Sequence, residues 1–190
     1  MSITTLDPKS ALIVIDLQKG ILAMADAPEA DRIVARATEL ARAFHQAGLP
    51  VIWVTALGLP PGRNERPMPD HPPAADFAEL HPSLPVVDTD LRISKKALSA
   101  FTSAEAARLL AERGVTGVVI TGLATGMGVE STARAAYDAG YNVTIAIDAV
   151  TDPNLERGRN SLQHVLPAIA ETGTTAEVLA ALRAIEGSDA

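Results

Sequence analysis

The sequence predicts an α/β chain folded as a three-layer α/β/α sandwich around a mainly parallel sheet. Short apolar, β-branched runs alternate with stretches of helical periodicity along most of the chain. The runs are continuously apolar rather than alternating, as strands buried on both faces must be. Ala11-Leu12-Ile13-Val14-Ile15, ending at Asp16, is the first of them.

Helical spacing follows. Ile33, Val34, Ala37, Leu40, Ala41 and Phe44 fall on one stripe, and Gly48 is placed to cap its end. Val51-Ile52-Trp53-Val54 reads as the second strand, and Leu91-Arg92-Ile93 is a short run just ahead of Lys95. Thr102 with Glu105 fits a capping box for a helix running to Gly114. Val118-Val119-Ile120 is a strand, residues 129–139 a helix before Gly140, and Val143-Thr144-Ile145-Ala146-Ile147 another strand. A helix over 155–168 and a last one from Thr175 complete the pattern. The exception is 58–90, where eight prolines lie between Pro60 and Pro85 without either period. A segment of this kind is expected to be a functional loop or lid, or a surface excursion packed on a neighbouring subunit.

At 190 residues, with 47% apolar and 21% charged content, the chain is expected to form a single domain, 1–190, with a substantial core. A net charge of −7 argues against nucleic-acid or anionic-membrane partners, which require a basic face, and aromatic residues are only 3%. No apolar run approaches the roughly 20 residues needed to span a bilayer, and the first ten residues show no charged-then-apolar leader. A cytoplasmic location is the expectation. The absence of cysteine excludes disulfides and thiolate metal sites.

In open parallel sheets, ligands bind beyond the carboxyl ends of the strands. Three features stand at such ends: Asp16 closes the first strand, Lys95 follows Ile93, and Gly128 opens a helix after Ile120. Read singly, an Asp there is most often a cap, a Lys a solvated charge and a Gly a tight turn.

Read together, they carry a resemblance. Gly122-Leu123-Ala124-Thr125-Gly126-Met127-Gly128-Val129-Glu130-Ser131-Thr132-Ala133-Arg134 resembles the nucleophile turn of the isochorismatase-like (cysteine) hydrolase superfamily. Ala11-Leu12-Ile13-Val14-Ile15-Asp16-Leu17-Gln18 is similar to that family's opening motif, and Lys95-Lys96-Ala97-Leu98-Ser99-Ala100-Phe101 to its lysine motif, whose spacing selects Lys95 over Lys96. Ala136, Gly140-Tyr141, Asp148, Pro167, Glu171-Thr172 and Thr174-Thr175-Ala176-Glu177 extend the likeness, which covers Ala11 to Leu182. The resemblance implies the isochorismatase-like fold, with Asp16 as acid/base and Lys95 as its catalytic partner. It also implies a pocket shared by Asp16, Lys95 and Gly128, and a non-prolyl cis bond at Leu123–Ala124 that presents a backbone N–H as an oxyanion donor. Gln18, Ala124 and Thr125 follow as substrate-binding candidates, and a homo-oligomer as the assembly.

The family's reactive cysteine does not carry over. Its position matches Gly128, which has no side chain, so acyl-enzyme chemistry there is impossible. Ser131 lies roughly 4.5 Å further along the helix at 1.5 Å rise per residue and is poorly placed to replace it. Within the superfamily, isochorismatases proper can carry Gly at this position. Their Asp is thought to protonate the vinyl carbon of an enolpyruvyl ether; water then adds, and the hemiketal collapses to pyruvate and an alcohol. By that resemblance the expected function is hydrolysis of a small acidic or carbonyl-containing metabolite by Asp-driven enol ether cleavage, without a thiol. The alternatives are a non-catalytic relative that only binds such a ligand, and a slow amidase using water activated by Asp16 and Lys95. Burial would raise the Asp16 pKa and the Lys95 ammonium would lower it, and the sequence leaves that contest open.

Arg63, with Arg66 nearby, is a candidate clamp for a substrate carboxylate. No cofactor is expected. Nicotinamidases, another branch of the superfamily, use an Asp-x-His pair with a further His after the second strand. That region here reads Ala56-Leu57-Gly58-Leu59-Pro60, with only His71 and His81 beyond it, so a metal site is not expected.

Overall fold

The computed structural model describes residues 3–187, except 59, 61, 66–71 and 103. Six parallel strands form one sheet: β1 (Ser10–Ile15), β2 (Val51–Ala56), β3 (Leu91–Lys95), β4 (Gly117–Leu123), β5 (Asn142–Thr151) and β6 (Glu171–Gly173). Their order across the sheet is β3-β2-β1-β4-β5-β6. The order reverses between β1 and β4, so the connections leaving those two strands diverge and open a crevice at their carboxyl ends.

The helices are α1 (Lys19–Leu22), α2 (Ala27–Gln46), α3 (Ala104–Glu112), α4 (Glu130–Asp138), α5 (Leu155–Asn160) and α6 (Thr175–Glu186). The predicted stripe of α2, from Ile33 to Phe44, is buried in full, and Gly48 follows the helix at a φ of 68°. Every residue of β1 is buried because it feeds both layers. Leu12 and Val14 pack with α2 and α6, whereas Ala11, Ile13 and Ile15 pack with α3 and α4. That two-sided burial is why the strand reads as an unbroken apolar run.

Several expectations change in detail. Thr102 sits in a 3₁₀ turn, where its hydroxyl donates to the Ser99 carbonyl, instead of starting α3. The predicted helix over 155–168 is three consecutive pieces: α5, a π turn at Ser161–Val165 and a 3₁₀ turn at Leu166–Ala168. Lys95 is the last residue of β3 itself. The short α1 and β6 lacked any pattern of sufficient length to reveal them.

Part of the proline-rich segment is docked on the turn that follows β1. Leu80 bridges Gln18, His81 N donates to the Leu17 carbonyl, Lys19 N to the Glu79 carbonyl, and Gly20 N to the Phe77 carbonyl. Lys19 also forms salt bridges to Asp76 and Glu79, and Leu84 is buried in the core beneath.

Candidate active site

Asp16 is the only non-glycine residue with positive φ, at 53°, among those described. An aspartate tolerates this left-handed conformation better than most residues. It ends β1 by bending the chain, and its own N–H still bonds the Val54 carbonyl. The carboxylate is 6% exposed. Oδ2 accepts a hydrogen bond from Lys95 Nζ at 2.7 Å, and Nζ also donates to the Ala97 carbonyl at 3.2 Å. Oδ1 is buried without a hydrogen-bond partner among the described residues.

Lys95 approaches from two strands away, across β2, where its register partner is Ala56. Two inter-strand spacings amount to about 9.6 Å, which calls for a long side chain on one of the two partners. Its neighbour Lys96 is exposed, as residues alternate across a strand, whereas Lys95 is buried.

Gly128 lies opposite, in the π turn Thr125–Val129 that leads from β4 into α4. A Cβ built there would stand 3.3 Å from Asp16 Oδ2 and 3.0 Å from Ile15 Cγ2. The position therefore faces the carboxylate directly. Gly128 is not at positive φ, so its backbone does not demand glycine. Gly122 is different: at φ 120° its absent Cβ would fall 2.0 Å from the Ile15 carbonyl oxygen. Only glycine lets β4 leave the sheet so close to the end of β1. The peptide bond Leu123–Ala124 is cis, as the motif implied.

Burial decides the state of Asp16. Desolvation raises its pKa to about 6, and the charge and hydrogen bond of Lys95 only partly oppose it.

Gln18 is fully buried and its amide is spent on the backbone. It accepts from Ala56 N and donates to the carbonyls of Ala56 and Phe77. Gln18 thus ties the end of β2 and the docked loop to the turn after Asp16. Ala124 is half-buried at the head of the turn, and Thr125 is buried where the turn meets Gly158 of α5. Arg63 is exposed and makes no hydrogen bond or ion pair among the described residues. Arg66 and His71 lie outside the described residues, and His81 accepts from Ser83 N through Nδ1 at 3.3 Å.

One buried carboxylate at the same sheet edge escaped the sequence reading. Asp152, just past β5, accepts from Gly126 N of the π turn at 2.9 Å and from Arg157. The sequence reading ends that strand at Ile147, whereas β5 runs on to Thr151, so Asp152 did not stand at a predicted strand end as Asp16 did.

The isochorismatase domain model matches residues 10–177. The isochorismatase family protein YecD of Escherichia coli O157:H7 is 39% identical over 181 residues, spanning 91% of this chain and 96% of that protein. An isochorismatase family protein from Burkholderia thailandensis superposes with a TM-score of 0.89 at 35% identity, covering 96% of this chain and all of that one. The pyrazinamidase of Pyrococcus horikoshii, solved with zinc, superposes with a TM-score of 0.75 at 27% identity, over 88% of this chain and 99% of that one. No cluster of three or more His, Cys, Asp or Glu able to hold a metal occurs among the described residues. With the matched domain spanning the whole sheet and the Asp16–Lys95 pair inside it, the chain belongs to the isochorismatase family and is a hydrolase of the isochorismatase-like fold.

Proposed function

We propose that this hydrolase cleaves an enol (vinyl) ether of a small acidic or carbonyl-containing metabolite, with Asp16 as general acid and no covalent intermediate. One observation carries the reading: a buried carboxyl with a pKa of about 6, bonded to Lys95 through Oδ2 and unpartnered at Oδ1, facing a residue without a side chain.

The proton sits on Oδ1, since Oδ2 already accepts from Lys95. Transfer to the terminal vinyl carbon forms a C–H bond, and the alkene electrons leave an oxocarbenium ion. The new Asp16 carboxylate, held by the Lys95 ammonium, stabilises that cation electrostatically. Water adds to the oxocarbenium carbon and returns its extra proton to Asp16. The hemiketal then collapses to a ketone and an alcohol. This sequence needs an acid whose pKa lies near the working pH, for which Asp16 is suited, and space for a water. The missing side chain at Gly128 is the feature that supports such a space beside Asp16. Ala124 and Thr125 shape the wall, and the amides at the head of α4 favour a negative group nearby. Arg63 is a candidate for a substrate carboxylate.

A second reading draws support from the pyrazinamidase likeness. Above pH 6 Asp16 is mostly ionised and suited to activating water against an amide. The test offers the protein isochorismate, chorismate, nicotinamide and pyrazinamide separately, with pyruvate and ammonia release followed. Pyruvate release that drops at least about a hundredfold in Asp16→Asn supports the first reading. Ammonia release without pyruvate overturns it in favour of the second, and turnover of neither in the wild-type protein overturns it in favour of a binding-only relative.

A further inference from the structure

We propose that Asp152 is a positioning residue of the active-site turn: by holding the Gly126 amide, its carboxylate sets where Gly128 closes over Asp16. The proposal rests on the reading of Asp16, Lys95 and Gly128 as the site.

The Asp152 side chain is 1% exposed, and both its oxygens are used twice. Oδ2 accepts from Gly126 N at 2.9 Å and from Arg157 Nε at 3.1 Å. Oδ1 accepts from Asn154 N at 2.8 Å and from Arg157 Nη2 at 2.5 Å. Asn154 in turn caps α5 by accepting from Arg157 N at 2.9 Å. One carboxylate thus joins the end of β5, the start of α5 and the catalytic turn.

The packing is as tight as the bonding. A Cβ at Gly126 would meet Arg157 Cγ at 2.5 Å, and one at Gly158 would meet Asp152 Cβ at 2.8 Å. The Arg157 stem therefore lies against the turn at Gly126 with no slack, and Asp152 lies equally close against Gly158. An ion pair between a buried carboxylate and a half-buried guanidinium adds little net stability once desolvation is counted, but each of its bonds has a direction. The direction that matters is the one to Gly126 N, because Gly128 is only two residues on, and a Cβ there would stand 3.3 Å from Asp16 Oδ2. Freed from Asp152, the turn is able to move and water reaches Asp16.

The test compares the wild-type protein with Asp152→Ala and Arg157→Gln, using carbon NMR of the aspartate carboxyls. The Asp16 signal is assigned by its loss in Asp16→Asn, and Gly126 amide exchange and the thermal midpoint are followed alongside. In Asp152→Ala the Asp16 midpoint is expected to fall by about one pH unit or more, with Gly126 exchange at least about tenfold faster. In Arg157→Gln the carboxylate still holds Gly126, so the thermal midpoint falls while Asp16 titrates within about 0.3 unit of wild type. If Asp152→Ala does not fold, Asp152→Ser, which keeps a short acceptor for Asn154, gives the same comparison. A folded variant lacking the carboxylate in which Asp16 and the Gly126 amide behave as in wild type overturns the proposal. So does an Arg157→Gln variant that shifts Asp16 just as far. None of these readouts needs a substrate, so failure of the proposed reaction and failure of this role are separately visible.

Discussion

Lys95 and Asp16 meet at 2.7 Å although β2 lies between their strands. Lys95 also holds the Ala97 carbonyl, and the second carboxyl oxygen of Asp16 is buried without a hydrogen-bond partner among the described residues. Burial wins over the ammonium and leaves Asp16 titrating near pH 6, where a single site can serve acid or base chemistry according to pH.

The first prediction follows from that value. If enol ether cleavage uses protonated Asp16, its kcat is flat below about pH 6 and falls tenfold per unit above it. Amide hydrolysis by the ionised form would show the mirror profile, rising to a plateau above pH 6. A pH–rate curve on whichever probe turns over distinguishes the two.

Folding stability carries the same signature. Asp16 has a folded pKa above its ordinary value of 3.8, so the folded state binds the proton more tightly than the unfolded chain does. Its contribution is fully present below pH 4 and is lost as pH rises through 6, a decline on the order of 3 kcal/mol. Glu29 and Glu177, whose pKa values are lowered by hydrogen bonds, act in the opposite direction. Denaturant melts of wild type and Asp16→Asn across pH 4–7 isolate the Asp16 part. The difference between the two proteins should change over that window and stay constant above it; a difference independent of pH refutes the burial argument.

Lys95→Met keeps the length of the side chain and removes its charge. Desolvation of Asp16 is then unopposed, and its carboxyl should titrate at least about one unit higher in carbon NMR. A lower midpoint would mean that water has entered and that Lys95 mainly seals the site. By making Asp16 a weaker acid and removing the ammonium that stabilises its carboxylate after donation, the substitution should also depress kcat more than it raises KM.

Much of this was legible from the chain because each part has a local signal. The β1 run, the α2 stripe and the turn into α4 are patterned by period or motif, and Asp16, Lys95 and Gly128 sit at strand ends where an α/β sheet places its ligands. The rest depended on tertiary context. Gln18 matches a motif, but only the fold reveals that its amide is spent on Ala56 and Phe77. Asp152 looks like any residue after a strand until Gly126 N is found on it. The pKa of Asp16 sums opposing effects of burial and charge, and a sequence gives the magnitude of neither.

The homo-oligomer is a proposal that light scattering decides. Met24, Tyr137 and Leu155 are each more than half exposed, and a second copy would cover them. The expected mass at micromolar concentration is a multiple of 19.8 kDa, and a value near 19.8 kDa contradicts it.

Gly128→Cys tests whether the scaffold of a thiol hydrolase survives around the glycine. The backbone accepts a side chain, since φ is not positive, but Ile15 Cγ2 at 3.0 Å and Asp16 Oδ2 at 3.3 Å must each yield by a few tenths of an ångström. A stability loss of about 1–3 kcal/mol is expected for such overpacking. The new sulfur would lie at the head of α4, where the helix dipole and Lys95 favour a thiolate, while burial and ionised Asp16 oppose it. Because thiol and carboxyl interact, the apparent pKa values belong to the pair. Iodoacetamide alkylation across pH, read beside the thermal midpoint, should give an apparent thiol pKa below the roughly 8.5 of free cysteine. Enol ether turnover should fall at the same time, since the thiol takes the place of the water. A thiol pKa of 8.5 or above in a folded variant would show that Gly128 stands in surroundings no longer able to activate a nucleophile.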